Sequence, residues 1–210
     1  LLTLGLLQAR AQHVVINEIL YNPDGADDGQ EWIELCNSGD EAIDLYGWAL
    51  QNAGTSWSEV YVFGSESIEP GAYLVVGSGS EAVSFTPNLQ NGGSSSDGIR
   101  LVDADALVVD TVIYDSPNSN GLSDDLGGMP DSTAPASSSG RSIGRYPDCT
   151  DSDDSGFDFQ EFETPSPGEV NDGEGGSSGS CALGRIVINE FMANPSGSDA
   201  DQEWVELYSL

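Results

Sequence analysis

The chain has 210 residues and a mass of 22.0 kDa, which is enough for one domain of ordinary size and a remainder. Five Lys and Arg residues stand against 36 Asp and Glu residues, so the formal net charge is −31. Phosphate binding depends on clustered Lys and Arg, so this balance argues against nucleic acid and anionic lipid as partners. Hydrophobic residues make up 38% of the chain, too many for a disordered acidic protein. We therefore expect a β-rich core inside acidic loops.

Residues 1–11 resemble the end of an export signal. The apolar run 1–7 precedes Ala9-Arg10-Ala11, a small-x-small pattern of the kind that signal peptidase accepts. The run is far shorter than the ~20 apolar residues of a membrane-spanning helix, so we expect no membrane span in the mature protein. We interpret 1–11 as a signal-peptide remnant and expect a protein that is secreted or held at the cell surface. A short N-terminal strand or helix is the alternative.

After this remnant, short β-branched or apolar runs alternate with turns, and no helical period appears. The first two runs, 13–20 and 31–36, flank an Asn-Pro-Asp-Gly turn. Further candidate strands lie at residues 42–45, 47–50, 60–63, 73–76, 99–102, 107–114 and 141–145. This spacing predicts an all-β sandwich. We expect its core to contain Ile16, Ile33, Leu35, Trp48, Leu50, Leu74, Val76, Leu101, Val109 and Ile113.

These segments in this order resemble the lamin-tail domain found in bacterial exported proteins. The most specific pieces are Asn17-Glu18-Ile19 with Glu31-Trp-Ile-Glu-Leu35, Asp44-Leu-Tyr-Gly-Trp48 and Pro165-Ser-Pro-Gly168. The resemblance covers residues 14–171 and implies an immunoglobulin-like β-sandwich over 12–172 with long acidic loops. An insertion at 116–140 departs from the family pattern, and we expect it to form a mobile loop.

The end of the chain repeats its beginning. Residues 186–207 align without a gap to residues 14–35, at a constant offset of 172. We therefore expect 173–183 to be a flexible Gly/Ser linker and 184–210 to be the truncated start of a second lamin-tail domain. Because two strands cannot bury a core, we expect this second segment to be poorly ordered or to borrow an edge of the first domain.

Catalytic groups are scarce in this sequence. His13 is the only imidazole, no lysine occurs, and no nucleophile motif is present. Chance pairs among 36 acidic residues cannot single out a catalytic carboxylate. We therefore expect no enzymatic activity in this chain.

Two acidic clusters are candidate calcium sites, and Ca2+ is the only cofactor that the sequence suggests. The first cluster comprises Asp151, Asp153, Ser155 and Asp158. The second comprises Asn22, Asp27 and Glu31. Residues 151–156 have oxygens and a glycine at the positions of a calcium loop, but Phe162 stands where the bidentate glutamate should be. Solvated acidic loops, in which Asp and Ser stabilise turns, remain the alternative.

Trp57 lies in a polar stretch, 52–58, and is a candidate exposed ligand contact. A lid over the end of the sandwich is the alternative role for this side chain.

The three cysteines are an odd number for an exported chain. Cys36 occupies a strand position and is expected to be a buried thiol. Cys149 and Cys181 both lie in loop-rich sequence and could pair, which would tie the linker to the domain.

The resemblance and composition together imply a non-catalytic extracellular binding or structural module of a larger secreted or cell-surface bacterial protein. Calcium-stabilised adhesion is the specific form we consider, with another surface protein or a polysaccharide as partner. The alternative is an accessory domain of an exported hydrolase, a phosphoesterase or nuclease, because bacterial members of this family often accompany such enzymes.

Overall fold

A computed structural model describes residues 14–25, 29–80, 82–130 and 132–172, together with the backbone of 186–192 and 204–209. The predicted signal remnant, the predicted linker, Asp27 and Cys181 lie outside the described residues. The chain divides into two compact units, Leu1–Gly175 and Gly176–Leu210. Among the described residues no helix is long and apolar enough to cross a membrane.

The described part of the first unit is built from strands and one short helix. In chain order these are β1 (Val14–Asn22), β2 (Trp32–Asn37), β3 (Ile43–Asp44), β4 (Ala49–Ala53), β5 (Trp57–Val62), β6 (Ser67–Ile68), β7 (Tyr73–Gly77), β8 (Val83–Ser84), β9 (Asp97–Val102), β10 (Val108–Tyr114), β11 (Arg141–Arg145), α1 (Ser155–Asp158) and β12 (Phe159–Phe162). The sequence analysis predicts most of these strands, but it misses β6, β8, β12 and the helix.

Two main sheets form a sandwich. One has the order β12-β11-β1-β2-β7-β8 and the other β10-β9-β4-β5, while β3 and β6 pair separately. All strand pairs are antiparallel except β7 with β8. The all-β prediction is therefore confirmed, and the arrangement is immunoglobulin-like.

The predicted core is largely correct. Eight of the ten expected residues are buried, whereas Trp48 and Leu74 are half-buried and pack against the core. Ile113 belongs to a smaller cluster with Ala53 and Leu122, against which Trp57 packs. The main cluster draws side chains from both sheets, so it holds the two layers together.

The insertion at 116–140 lies against the sandwich, which differs from the mobile loop that we expected. The backbone N–H of Ala134 donates to the carbonyl of Ile113 at 2.8 Å, on the edge strand β10. Asn118 Nδ2 donates to the carbonyl of Leu122 at 2.8 Å and closes a turn that carries the buried Leu122 side chain. The insertion thus protects an open sheet edge and places one apolar side chain in the core.

The second unit is described only as two strands, β13 (Ile186–Met192) and β14 (Trp204–Ser209). They pair antiparallel with Ile188 opposite Leu207 and Glu190 opposite Glu206, and the register shifts between these two pairs. Strands β1 and β2 have the same register 172 residues earlier, including the shift.

Candidate functional site

A buried arginine joins the two sheets of the first unit. Arg145, at the end of β11, is 1% exposed, and its guanidinium donates to both oxygens of Asp110 on β10, at 2.9 and 3.0 Å. Its Nε donates to the carbonyl of Ile16 at 2.9 Å. Its Nη1 donates to Asp151 at 3.0 Å and to Asp158 at 2.8 Å. One cation therefore holds a strand from each sheet and the acidic loop that follows β11.

Asp110 is the innermost carboxylate of this group. It is 1% exposed, and its Oδ2 also accepts the backbone N–H of Ile16 at 2.5 Å. Burial raises the pKa of Asp110 to about 6, while the adjacent Arg145 guanidinium opposes the rise. Burial opposes the charge of Arg145, but Asp110, Asp151 and Asp158 together raise the pKa of its guanidinium.

The predicted calcium loop closes around this guanidinium, so the expected ligand set does not assemble. The Ser155 hydroxyl accepts the N–H of Ile113 at 3.1 Å and lies against β10. The Asp158 carboxylate accepts from Arg145 and from the N–H of Ser152 at 2.8 Å. A guanidinium has five N–H donors, and here it meets oxygens of Thr150, Asp151 and Asp158.

A different acidic group forms beside the arginine. Carboxylate oxygens of Asp110, Asp125 and Asp151 lie within 4.8 Å of one another, and among the described residues this is the group that could hold a metal ion. Asp125 comes from the insertion, and its Oδ2 is buried without a hydrogen-bond partner. Burial, then the negative charge of Asp110 and contact with Asp153, raise the pKa of Asp125 to about 8. Asp151 is the member that this group shares with the predicted cluster, and Asp153 of that cluster contacts Asp125.

Two residues of the second predicted cluster, Asn22 and Glu31, are described, and Asp27 lies outside the described residues. Asn22 Nδ2 donates to the carbonyl of Ser137 at 2.9 Å. Glu31 is 2% exposed, and its carboxylate accepts the N–H of Leu89 at 2.9 Å. These two side chains therefore support two separate loops of the sandwich.

Two buried glutamates hold the segment that closes the first unit, residues 166–171, which we call the closing strap. Glu18 and Glu34 are cross-strand partners on β1 and β2, and both are 0% exposed. Glu18 accepts the N–H and the hydroxyl of Ser166, at 3.0 and 3.1 Å. Glu34 accepts the N–H of Gly168 at 2.5 Å. The Asn-Glu-Ile and Glu-Trp-Ile-Glu-Leu motifs thus provide the acceptors for the Pro-Ser-Pro-Gly motif.

The two glutamates differ from ordinary surface carboxylates in their protonation. Burial raises the pKa of Glu34 to about 8, with smaller effects from the charges of Glu18 and Asp148. Burial also raises the pKa of Glu18, while bonds from Ser142 and Ser166 lower it. At neutral pH we expect Glu34 to be neutral, which removes the repulsion between two adjacent buried carboxylates.

The expected pairing of Cys149 with Cys181 is wrong, as is the expectation of a free thiol at Cys36. Cys36 on β2 and Cys149 form a disulfide with a Cα–Cα distance of 5.8 Å and a sequence separation of 113. Strand β11 pairs with β1, which pairs with β2, so the loop after β11 lies beside the end of β2. The N–H of Cys149 donates to Asn17 on β1 at 2.9 Å and fixes this loop. The sheet order therefore selects the pair.

Trp57 is not an exposed loop residue. It begins strand β5, is half-buried, and packs against the small core cluster. The Arg100 guanidinium lies 4.5 Å from the centre of its ring. A Cβ at position 98 would lie 2.7 Å from the ring, so glycine is needed there. The ring therefore packs on the sheet and not in an exposed loop, and its ligand contact stays a prediction.

Two facing β-sheets, joined by a buried ion pair and closed by a hydrogen-bonded strap, define an immunoglobulin-like module. The model of the lamin tail domain family matches residues 8–116, and the chain belongs to this family. β11, β12 and the closing strap lie beyond the matched residues, yet they pair with or bond to β1 and β2. None of the curated proteins compared with the chain matches it. The lamin tail domain is a non-catalytic fold, which agrees with the structural use of the buried carboxylates described above.

Proposed function

We propose that this lamin-tail domain is a non-catalytic extracellular binding or structural module of a larger secreted or cell-surface protein. The observation that carries the proposal is the disulfide between Cys36 and Cys149. Disulfides persist in oxidising compartments and are rare in the cytosol. The bridge joins β2 to the loop after β11. Its presence supports the location of the domain in an oxidising compartment.

Two further observations support a structural or binding role. Buried ionic and carboxylate hydrogen bonds attach the acidic loop and the closing strap to the sheets, which favours a rigid module. The hairpin of the second unit has the same register as the β1–β2 hairpin, which supports a tandem array of such modules.

The redox state of the native protein tests this proposal. We expect thiol alkylation of the intact cell culture, followed by mass spectrometry of the exported fraction, to recover a peptide pair linked through Cys36 and Cys149. A cytosolic protein with both cysteines alkylated would contradict the proposal.

We also propose that calcium stabilises the module at Asp110, Asp125 and Asp151. The observation that favours this second candidate is the buried Oδ2 of Asp125, which has no hydrogen-bond partner and lies beside two other carboxylates. Calcium prefers carboxylate oxygens, and extracellular modules bind it weakly. Asp110 and Asp151 already accept bonds from Arg145, so the ion would take the free oxygen of Asp125 as its main ligand.

Thermal unfolding with and without calcium tests this site. Calcium at about ten times its Kd should add about 1.4 kcal/mol of stability and raise Tm by about 3–5 °C. The Asp125→Asn variant should lose this rise, whereas the exposed Asp40→Asn variant should keep it. An equal rise with magnesium, or a full calcium response in Asp125→Asn, would contradict a calcium site at these residues.

A further inference from the structure

Three large hydrophobic residues are exposed to solvent on two segments that contact each other. Leu126 and Phe157 are each 77% exposed and Met129 is 58% exposed. Leu126 and Met129 belong to the insertion, and Phe157 belongs to α1. Single exposed apolar residues are ordinary, whereas a contiguous exposed apolar patch marks an interaction site.

Hydrogen bonds bring the two segments together. Ser132 of the insertion donates its hydroxyl to Asp154 at 2.7 Å, and the same Asp154 oxygen accepts the N–H of Phe157 at 3.2 Å. A Cβ at Gly156 would lie 2.8 Å from the carbonyl of Thr133, so the two backbones are in contact there. Leu126 follows Asp125, which is in contact with Asp153 of the acidic loop. The two segments that carry the apolar side chains therefore lie side by side along the edge strand β10.

The surroundings of these residues are negative. The carboxylates of the two segments include those of Asp124, Asp151, Asp153 and Asp154. Neither segment, 117–133 or 147–158, contains a Lys or Arg residue. Arg145 is buried beneath them and has three aspartate partners of its own. The carboxylates of the two segments therefore outnumber the positive charges near them.

We propose that Leu126, Met129 and Phe157, with the carboxylates around them, form a docking face for a cationic amphipathic segment of a partner protein. Apolar side chains of such a segment would bury the three exposed side chains. Its Lys or Arg residues would pair with the surrounding carboxylates, which form an acidic rim. Charge complementarity selects the partner, because an acidic rim repels acidic proteins and steers basic ones. This inference rests on the binding role proposed above and favours a protein over a polysaccharide as the partner.

Titration of the whole chain with a labelled amphipathic peptide of lysine and leucine tests the face. The titration is made in EDTA at physiological ionic strength, so that calcium does not compete for the carboxylates. We expect saturable binding, and binding at least about tenfold weaker for a lysine and serine peptide, which has the charge without the apolar side chains.

Two double variants locate the binding. Leu126→Ser with Phe157→Ser should weaken binding at least about tenfold, because it removes two apolar contacts. Tyr46→Ser with Leu107→Ser removes two other exposed side chains, 72% and 56% exposed, and should bind within about twofold of the unaltered chain. All four residues are exposed, so both variants should keep the Tm of the parent, which is measured first.

No saturable binding of the lysine and leucine peptide, or equal losses in the two double variants, would overturn the docking face. Either result would contradict the docking face alone, and the proposal of an exported module would stand if Cys36 and Cys149 are found linked in the exported protein. A reduced cytosolic protein that still binds the peptide through Leu126 and Phe157 would contradict the proposed export and support the docking face.

Discussion

Replacing Arg145 with methionine should lower the free energy of unfolding by about 3–5 kcal/mol, because it removes one partner of a buried ion pair. Asp110 and Asp158, at 1% and 4% exposed, would then be buried without their cation. The N–H of Ile16 would remain as a donor to Asp110, but it cannot replace the charge. Guanidinium unfolding at neutral pH measures the loss, which would be a large fraction of the stability of a domain of this size.

Arg141 offers a matched control four residues earlier on the same strand. Its side chain is 37% exposed and meets Glu161 and Glu163 at 3.3 and 3.5 Å. Exposed pairs contribute about 0–1 kcal/mol, so Arg141→Met should change stability little. Similar losses in the two variants would show that Arg145 does not act through its buried carboxylates.

A second substitution separates the charge from the packing. With Arg145→Met in place, Asp110→Asn removes a buried uncompensated carboxylate and should restore part of the stability. In the parent, Asp110→Asn should destabilise, because it removes the carboxylate that accepts from the guanidinium with both of its oxygens. Asp110→Asn would thus stabilise the Arg145→Met variant and destabilise the parent, as expected for an ion pair that joins the two sheets.

The strands could be predicted because they follow the simplest physical pattern. β1, β2, β9 and β10 are β-branched or apolar runs between turns, and burial on a sandwich requires that composition. β6 and β8 are two residues long, and β12 has the mixed sequence Phe-Gln-Glu-Phe in an acidic stretch, so no period appears. β8 and β12 are strands because they pair with the longer strands β7 and β11, and β6 pairs with the equally short β3. The local sequence does not encode these pairings.

The candidate site could be predicted only in part, because spacing along the chain does not identify what the oxygens surround. The sequence predicts Asp151 and Asp158 as calcium ligands, and in the structure both carboxylates pair with Arg145. The partner Asp110 lies on the other sheet, 35 residues before the arginine, and only the packing of the two sheets brings the two residues together. The motif glutamates Glu18 and Glu34 gave no sign of burial, because glutamate is mostly exposed in proteins.

Removing the disulfide should also have a large effect. The bridge closes a loop of 113 residues, and loop-closure entropy for a loop near this length corresponds to about 4–5 kcal/mol. Cys36→Ala with Cys149→Ala should therefore lower the guanidinium midpoint of the chain substantially. Reductant should lower the midpoint of the parent in the same direction and leave the double variant unchanged.

The third cysteine separates this prediction from the pairing expected from sequence. If Cys36 is bonded to Cys149, then Cys181→Ser removes no cross-link, and its unfolding midpoint should match that of the parent under oxidising conditions. If Cys149 were bonded to Cys181, Cys181→Ser would unfold as readily as Cys149→Ala, and Cys36→Ala would have only the smaller effect of losing a buried thiol. The hydrogen bond to Asn17 comes from the backbone N–H of Cys149, so none of these substitutions removes its donor. Differences in unfolding midpoint among the variants therefore report the cross-link.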